Sequence, residues 1–245
     1  MTTPVVLWDI DQTLIRTAGA GREAMGLAFE EIYGLPDAFA NVEFSGRTDF
    51  AIFWDALGHR GMDKDDFSGQ LDRFRALYVQ RLEAILPHKD GHILPGVSQV
   101  ISRLADLGAA QGVATGNFKG GAELKLRRYG LDRWLNGGGY GDNSADRADV
   151  VAEGAADVRR AHGLNGACEV YVIGDTPFDV EAARANGFKV IAVATGRHDV
   201  ATLAGCSPDA TLLDLRDTNR VVGLIGNLSP NPSPGRARGT GASAS

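Results

Sequence analysis

The sequence predicts an α/β fold: an open parallel sheet flanked by helices, with an all-helical insert after the first strand. Three observations carry this. Val5-Val6-Leu7-Trp8 is an unbroken apolar run behind Pro4, the pattern of a strand buried on both faces, and it runs straight into Asp9-Ile10-Asp11-Gln12-Thr13-Leu14. A second such run, Glu169-Val170-Tyr171-Val172-Ile173-Gly174, also ends in an acid, Asp175. From residue 94 to 194 helix and strand patterns alternate, as parallel strands joined by crossovers require, whereas residues 16–90 read as helices only. Carboxylates are seldom buried without a partner, and open parallel sheets bind ligands at the carboxyl ends of their strands. Acids at the mouths of two buried strands therefore mark a candidate site. An Asp-x-Asp placed there suits metal-assisted chemistry, with one carboxylate able to serve as nucleophile and metal ligand.

The elements follow in order. After a flexible Thr17-Ala18-Gly19-Ala20-Gly21 connection, Met25, Phe29, Ile32 and Tyr33 share one helical face that stops at Gly34. Residues 44–49 read as a loop leading to a second helix, capped by Thr48 or Asp49, with Ile52, Phe53 and Leu57 as its stripe. The third helix carries Phe67, Leu71, Phe74, Tyr78, Leu82 and Ile85 at steps of three or four and ends at Pro87. Pro95-Gly96 then sets a turn before a helix with Val97, Ile101, Leu104 and Leu107 inward. A short strand over 111–114 ends in Thr115-Gly116-Asn117, and a helix over 119–129 follows. Residues 137–141 are too glycine-rich to assign firmly, although a short strand fits them. A helix over 146–162 leads to the second buried strand, then a helix over 178–185, a strand over 189–194 and an edge strand over 210–215. From Ser229 onward Pro, Ser, Gly, Ala and Asn dominate, a composition that cannot offset the backbone entropy of about 1–2 kcal/mol per residue, so residues 229–245 are expected to be disordered.

Composition narrows the function. The 245 residues are 44% hydrophobic, enough for a real core. Net charge is −6, and leaving out Arg236 and Arg238 of the tail makes it −8. No basic stripe is present, which argues against a nucleic-acid partner. An acidic chain repels a phosphorylated substrate, so a local cation or metal must do the attracting. Cys168 and Cys206 form no Cys-x-x-Cys motif and are expected as free thiols. No segment approaches the ~18 apolar residues of a membrane span, and the expected compartment is the cytoplasm. The sequence carries no signature of oligomeric state.

Gly174-Asp175-Thr176-Pro177-Phe178-Asp179 also reads as a helix start, with Thr176 or Asp175 as cap and Pro177 in the first turn. Capping does not explain why a second buried strand ends in Asp. Carboxylates gathered at one sheet edge repel one another by about 4 kcal/mol per pair at ~4 Å and an effective dielectric near 20. A divalent cation would offset this, and hard oxygen ligands suit Mg²⁺.

Taken in this order, Asp9-x-Asp11-x-Thr13, Thr115-Gly116-Asn117, Arg147 and Gly174-Asp175 with Asp179 resemble the four motifs of the haloacid dehalogenase superfamily in its phosphatase form, over about residues 4–200. The resemblance implies a Rossmann-like core of residues 1–15 and 91–228 and an α-helical cap of the first type (C1) at 16–90. It implies Mg²⁺ held by Asp9 and Asp175, the backbone carbonyl of Asp11, and Asp179 as a ligand or holder of the water shell. Thr115 and the N–H groups of Gly116 and Asn117 are expected to bind phosphate. The family's clamping cation is more often Lys; here Arg147, 28 residues before Asp175, takes the place, and its fork suits phosphate. Lys125 competes for that role but sits mid-helix, where a structural part is expected; Lys119 lies nearer the phosphate loop and is expected to touch substrate. Arg47 is the candidate cap contact, and Gly46-Arg47-Thr48-Asp49 is similar to phosphoglycolate phosphatase-like members, which points to a small anionic phosphomonoester.

The implied reaction is two-step phosphoryl transfer, with Asp9 as nucleophile and Asp11 as general acid, then base. A dehalogenase or a phosphonate-cleaving relative would not need Asp11. Phosphomutases share both aspartates but carry Gly-Val where this chain has Gln12-Thr13. A non-catalytic binding module that keeps the fold is the remaining alternative.

Overall fold

A computed structural model of the chain describes residues 3–61 and 68–226. The predicted tail at 229–245 and Phe67 of the third predicted helix lie outside the described residues. Six parallel strands form one sheet: β1 (Val5–Trp8), β4 (Ala110–Thr115), β5 (Gly138–Tyr140), β6 (Val170–Gly174), β7 (Lys189–Val193) and β8 (Ala210–Leu212), in the spatial order β5-β4-β1-β6-β7-β8. The α/β class and parallel sheet expected from the sequence are thus what the chain adopts.

The apolar run of β1 serves both faces. Val6 and Trp8 point into a cluster with helices α4 (Val97–Asp106), α5 (Lys119–Arg128) and α9 (Thr218–Leu224). Val5 and Leu7 point into another with α6 (Arg147–Ala161), α7 (Pro177–Ala185) and α8 (Val200–Gly205). Alternate residues of a strand face opposite sides, so a central strand covered on both must be apolar at every position.

Helices α1 (Ala20–Tyr33), α2 (Asp49–Gly58) and α3 (Leu71–Ile85) enclose a third cluster of their own. Its centre is Phe29, with rings of Phe39, Phe53 and Phe74 at 5.3, 6.1 and 6.2 Å. From outside this segment, buried Phe118, just ahead of α5, joins the cluster and packs edge-on against Phe74 and Tyr78, and Leu124 of α5 packs against it as well.

Several details depart from the sequence reading. Ile15–Arg16 (β2) and His92–Ile93 (β3) pair antiparallel at the two roots of the helical segment, a pairing the sequence reading does not contain. Two-residue strands leave no periodicity to read. Pro87 lies within a 3₁₀ turn, Leu86–His88, that continues α3. The edge strand β8 ends at Leu212 rather than 215, and α8 and α9 had no counterpart among the predicted elements.

Candidate active site

The sheet fixes where the acids meet. Counted along the chain, its strands lie in the order 3-2-1-4-5-6, so the direction of winding reverses between β1 and β6. The crevice beyond such a reversal is where these sheets bind ligands. Asp9 follows β1 and donates its N–H to Ile173 of β6 at 2.9 Å, while Asp175 follows β6. Asp179 joins them from the first turn of α7. Carboxylate oxygens of Asp9, Asp175 and Asp179, all three residues buried, lie within 4.8 Å of one another. Burial, above all, raises the Asp9 carboxyl out of its ordinary range; the Arg147 guanidinium opposes this and the Asp179 charge adds to it. Asp175 is raised by burial and then by the charges of Asp9 and Asp179. Thr13, fully buried, donates to Asp175 Oδ1 at 3.4 Å.

Arg147 is the cation of this cluster. Asp146 caps α6 by accepting from the Ala148 N–H at 2.8 Å, which starts the helix with Arg147 turned inward. Its Nη2 donates to Asp9 Oδ1 at 2.6 Å, to Asp179 Oδ1 at 2.8 Å and to the Ala114 carbonyl at 3.2 Å. Burial works against the guanidinium charge, but Asp179 and Asp9 outweigh it and hold the proton more firmly than usual. Its Nε is buried with no hydrogen-bond partner among the described residues. Asp179 serves two ends at once. Its Oδ2 closes a capping box with Thr176, accepting from the Thr176 N–H and hydroxyl, while Oδ1 meets Arg147. The helix-start reading and the ligand reading thus use different oxygens of one side chain.

One guanidinium set against three buried carboxylates leaves excess negative charge. This all-oxygen, anionic donor set fits a hard divalent cation such as Mg²⁺. Gly196 belongs to the same seat: a Cβ there would lie 1.7 Å from Asp175 Oδ2.

Asp11 stands beside the cluster. Its Oδ2 accepts from Asn117 Nδ2 at 2.8 Å and from the Lys125 ammonium, which also reaches Asn117 Oδ1. Lys125 therefore has more than the structural place expected of a mid-helix lysine, because α5 presents Gly121, Ala122, Lys125 and Leu126 on its buried side.

Two residues expected to touch substrate do not line the cavity. The Thr115 hydroxyl is fully buried and turns back to accept from the Asn117 N–H and side-chain amide, at 3.3 and 2.7 Å, so Gly116 and Asn117 line the cavity while Thr115 does not. Lys119 is also absent from the lining: its N–H goes to Asp142 Oδ2 at 2.8 Å and its ammonium lies 5.7 Å from the Tyr140 ring.

A cavity of about 560 Å³ joins the acid cluster to the helical segment. Its lining includes Asp9, Asp11, Asp175, Asp179, Arg147 and Lys125 from the sheet side, and Arg22, Met25, Arg47, Asp49, Ile52 and Tyr78 from the helical side. Arg47 pairs with Asp55. Its carbonyl crosses directly over Gly116, 2.1 Å from where a Cβ would stand, so only glycine permits this approach. Thr48 is the cap of α2, accepting from the Ala51 N–H at 3.2 Å. Asp49 instead turns to the core, where its Oδ2 accepts the Phe118 N–H at 2.8 Å; burial pushes its carboxyl up to about 7 despite the opposing Lys125 charge.

The family model described as haloacid dehalogenase-like hydrolase matches residues 3–187. A phosphoglycolate phosphatase of Mesorhizobium japonicum is 25% identical over 201 residues, covering 81% of this chain and 86% of that protein. Among solved structures, a hydrolase from Pseudomonas syringae superposes with a TM-score of 0.66 at 20% identity, covering 93% of this chain and all of that one. A predicted phosphoglycolate phosphatase from Haemophilus somnus gives 0.64 at 16% identity, covering 90% and 98%. No helix among the described residues is long and apolar enough to cross a membrane.

Proposed function

The chain belongs to the haloacid dehalogenase-like hydrolases, and on that footing we propose that it is a Mg²⁺-dependent phosphatase acting on a small anionic phosphomonoester. The observation that carries the reading is the meeting of Asp9, Asp175 and Asp179 within 4.8 Å, with Arg147 on two of them. Asp9, Asp175, the Asp11 carbonyl and Asp179, as ligand or water holder, would hold Mg²⁺, which supplies charge neutralisation and orients the phosphoryl group.

Arg147 engages Asp9 Oδ1, leaving Oδ2 to attack phosphorus. As the Asp9 Oδ2–P bond forms, the ester P–O bond breaks, and Arg147 offsets the charge that develops. Both donors to Asp11 reach its Oδ2, so Oδ1 is the oxygen that carries the proton to the leaving alkoxide. In the second half, Asp11 takes a proton from water as that water attacks the aspartyl-phosphate. Phosphate leaves and Asp9 is restored.

The helical segment at 16–90 acts as a cap that closes the cavity and selects the leaving group. Support for an anionic leaving group comes from Arg16 and Arg22, which line the cavity and have no carboxylate partner among the described residues. The similarity to a phosphoglycolate phosphatase points the same way. The test is phosphate release from a panel of phosphorylated metabolites with Mg²⁺ and with EDTA. Release that needs Mg²⁺ and favours small carboxylated esters is expected. No release from any member overturns the proposal, and isomerisation of a sugar phosphate without release replaces it with a mutase.

A further inference from the structure

Lys125 is the buried cation that this scheme leaves unused. It joins a closed ring of hydrogen bonds. The ammonium donates to Asp11 Oδ2 and Asn117 Oδ1, Asn117 Nδ2 donates to the same Asp11 oxygen, and Asn117 is itself held by Thr115. The Lys125 side chain is 3% exposed, whereas that of Asp11 is 36% exposed. An isolated buried ammonium is costly, and one paired in a low-dielectric seat is held strongly. Here the seat has two halves. Asp11 and Asn117 come from the sheet side; Gly21 of α1 and Tyr78 of α3 come from the helical segment. A Cβ on Gly21 would stand 3.5 Å from the ammonium nitrogen and 3.7 Å from the Tyr78 hydroxyl. The charges of Asp49 and Lys125 also act on one another across this junction.

We propose that Lys125 is a positioning residue that fixes Asp11 at the cavity wall, and that the helical segment completes its seat. Asp11 is then held most firmly while that segment is docked, with Asn117 as its second, sheet-side tie. If α1 and α3 withdraw, water reaches the ammonium, the local dielectric rises and the hold on Asp11 weakens. Closure over a substrate and alignment of the proton-transferring group become one event. The inference rests on Asp11 as the acid–base group of the scheme above.

The test pairs Lys125→Met, which keeps the length of the side chain and removes its charge, with Gly21→Val, which leaves Lys125 in place and crowds its seat. Each is assayed with Mg²⁺ on an alkyl phosphate, whose leaving group must be protonated, and on 4-nitrophenyl phosphate, whose leaving group need not be. Both variants are expected to lose about 100-fold in kcat on the alkyl ester, the scale of one general acid, and less than about fivefold on the aryl ester. Equal losses on both esters overturn the positioning role, and a silent Gly21→Val overturns the part given to the helical segment. A crystal structure of Lys125→Met reads the same claim without turnover. Asp11 displaced from its site supports it, and Asp11 unmoved refutes it. If the wild type hydrolyses neither ester, the proposed function fails, and the crystal structure alone decides the role of Lys125.

Discussion

The carboxylate of Asp49, in the first turn of α2, accepts the backbone N–H of Phe118 at the start of α5, across 69 positions of sequence. A helix of the core thus has its first free N–H satisfied by the helical segment. Two backbone bonds flank the contact, from the Asp49 N–H to Gly116 and from the Phe50 N–H to Gly141, at 2.6 and 3.2 Å. This junction sits directly over the glycine turn that lines the cavity.

Asp49 therefore makes stability depend on pH. Its carboxyl titrates near 7 in the folded chain and at the ordinary 3.8 when unfolded. Below about pH 4 both states are protonated and the shift has no effect. From there to about pH 7 the native state keeps the proton that the unfolded state gives up, so stability falls by up to about 1.4 kcal/mol per pH unit. Above pH 7 the penalty is complete. Asp49→Asn keeps an oxygen for the Phe118 N–H and has no proton to lose. Its stability relative to wild type is expected to rise by a few kcal/mol (~3) between pH 4.5 and 7.5, read from urea unfolding. An equal difference at the two pH values would refute it.

Asp9→Asn is expected to abolish Mg²⁺-dependent phosphate release, because an amide is no nucleophile here, while the far-ultraviolet circular dichroism stays unchanged. Arg147→Lys tests the clamp. A lysine point charge cannot reproduce the fork, and a loss in kcat of about 100-fold is expected. A variant at either position with wild-type turnover would remove that residue from the scheme.

Phe118→Ala should weaken the seating of the helical segment. The ring is 1% exposed and lies 6.2 and 6.0 Å from the rings of Phe74 and Tyr78. Truncating a buried Phe costs about 3–5 kcal/mol. The loss should appear in the urea midpoint, together with a higher KM, because the same contact holds one wall of the cavity. An unchanged KM would separate the packing of Phe118 from the site.

The parts of this arrangement that are legible in the sequence are those set by one strand and its end. Four apolar residues running into Asp9, and four followed by a glycine running into Asp175, state both burial and chemistry within a short window. Arg147 is legible through its spacing to Asp175 and its place at a helix start. Lys125 is not, because its burial comes from α1 and α3 folding over α5 rather than from its neighbours in sequence. Asp49 reads as a cap for its own helix, yet Thr48 does that work and Asp49 caps another. The pairing of Ile15–Arg16 with His92–Ile93 is equally hidden, since each strand is too short to carry a pattern and its partner lies beyond the whole helical segment.

Gly196 gives the most direct test of the metal seat. It follows β7 in a loop, away from the acid motifs in sequence, and it lines the cavity. An added Cβ would lie 1.7 Å from Oδ2 and 2.8 Å from the carboxyl carbon of Asp175, closer than any real contact. Either the loop or the carboxylate must move. The other oxygen of Asp175 accepts a long 3.4 Å bond from Thr13, a weak tie, so the carboxylate yields first. Gly196→Ala should therefore raise the Mg²⁺ concentration for half-maximal activity by about 10- to 100-fold, the usual range for residues that orient a metal ligand. At saturating Mg²⁺ much of kcat should return, because Asp9, Asp11 and Arg147 keep their places. A Mg²⁺ titration of activity checks this, backed by the rise in Tm that Mg²⁺ gives each protein. A Gly196→Ala variant with the wild-type Mg²⁺ requirement would mean that Asp175 holds no metal in this chain.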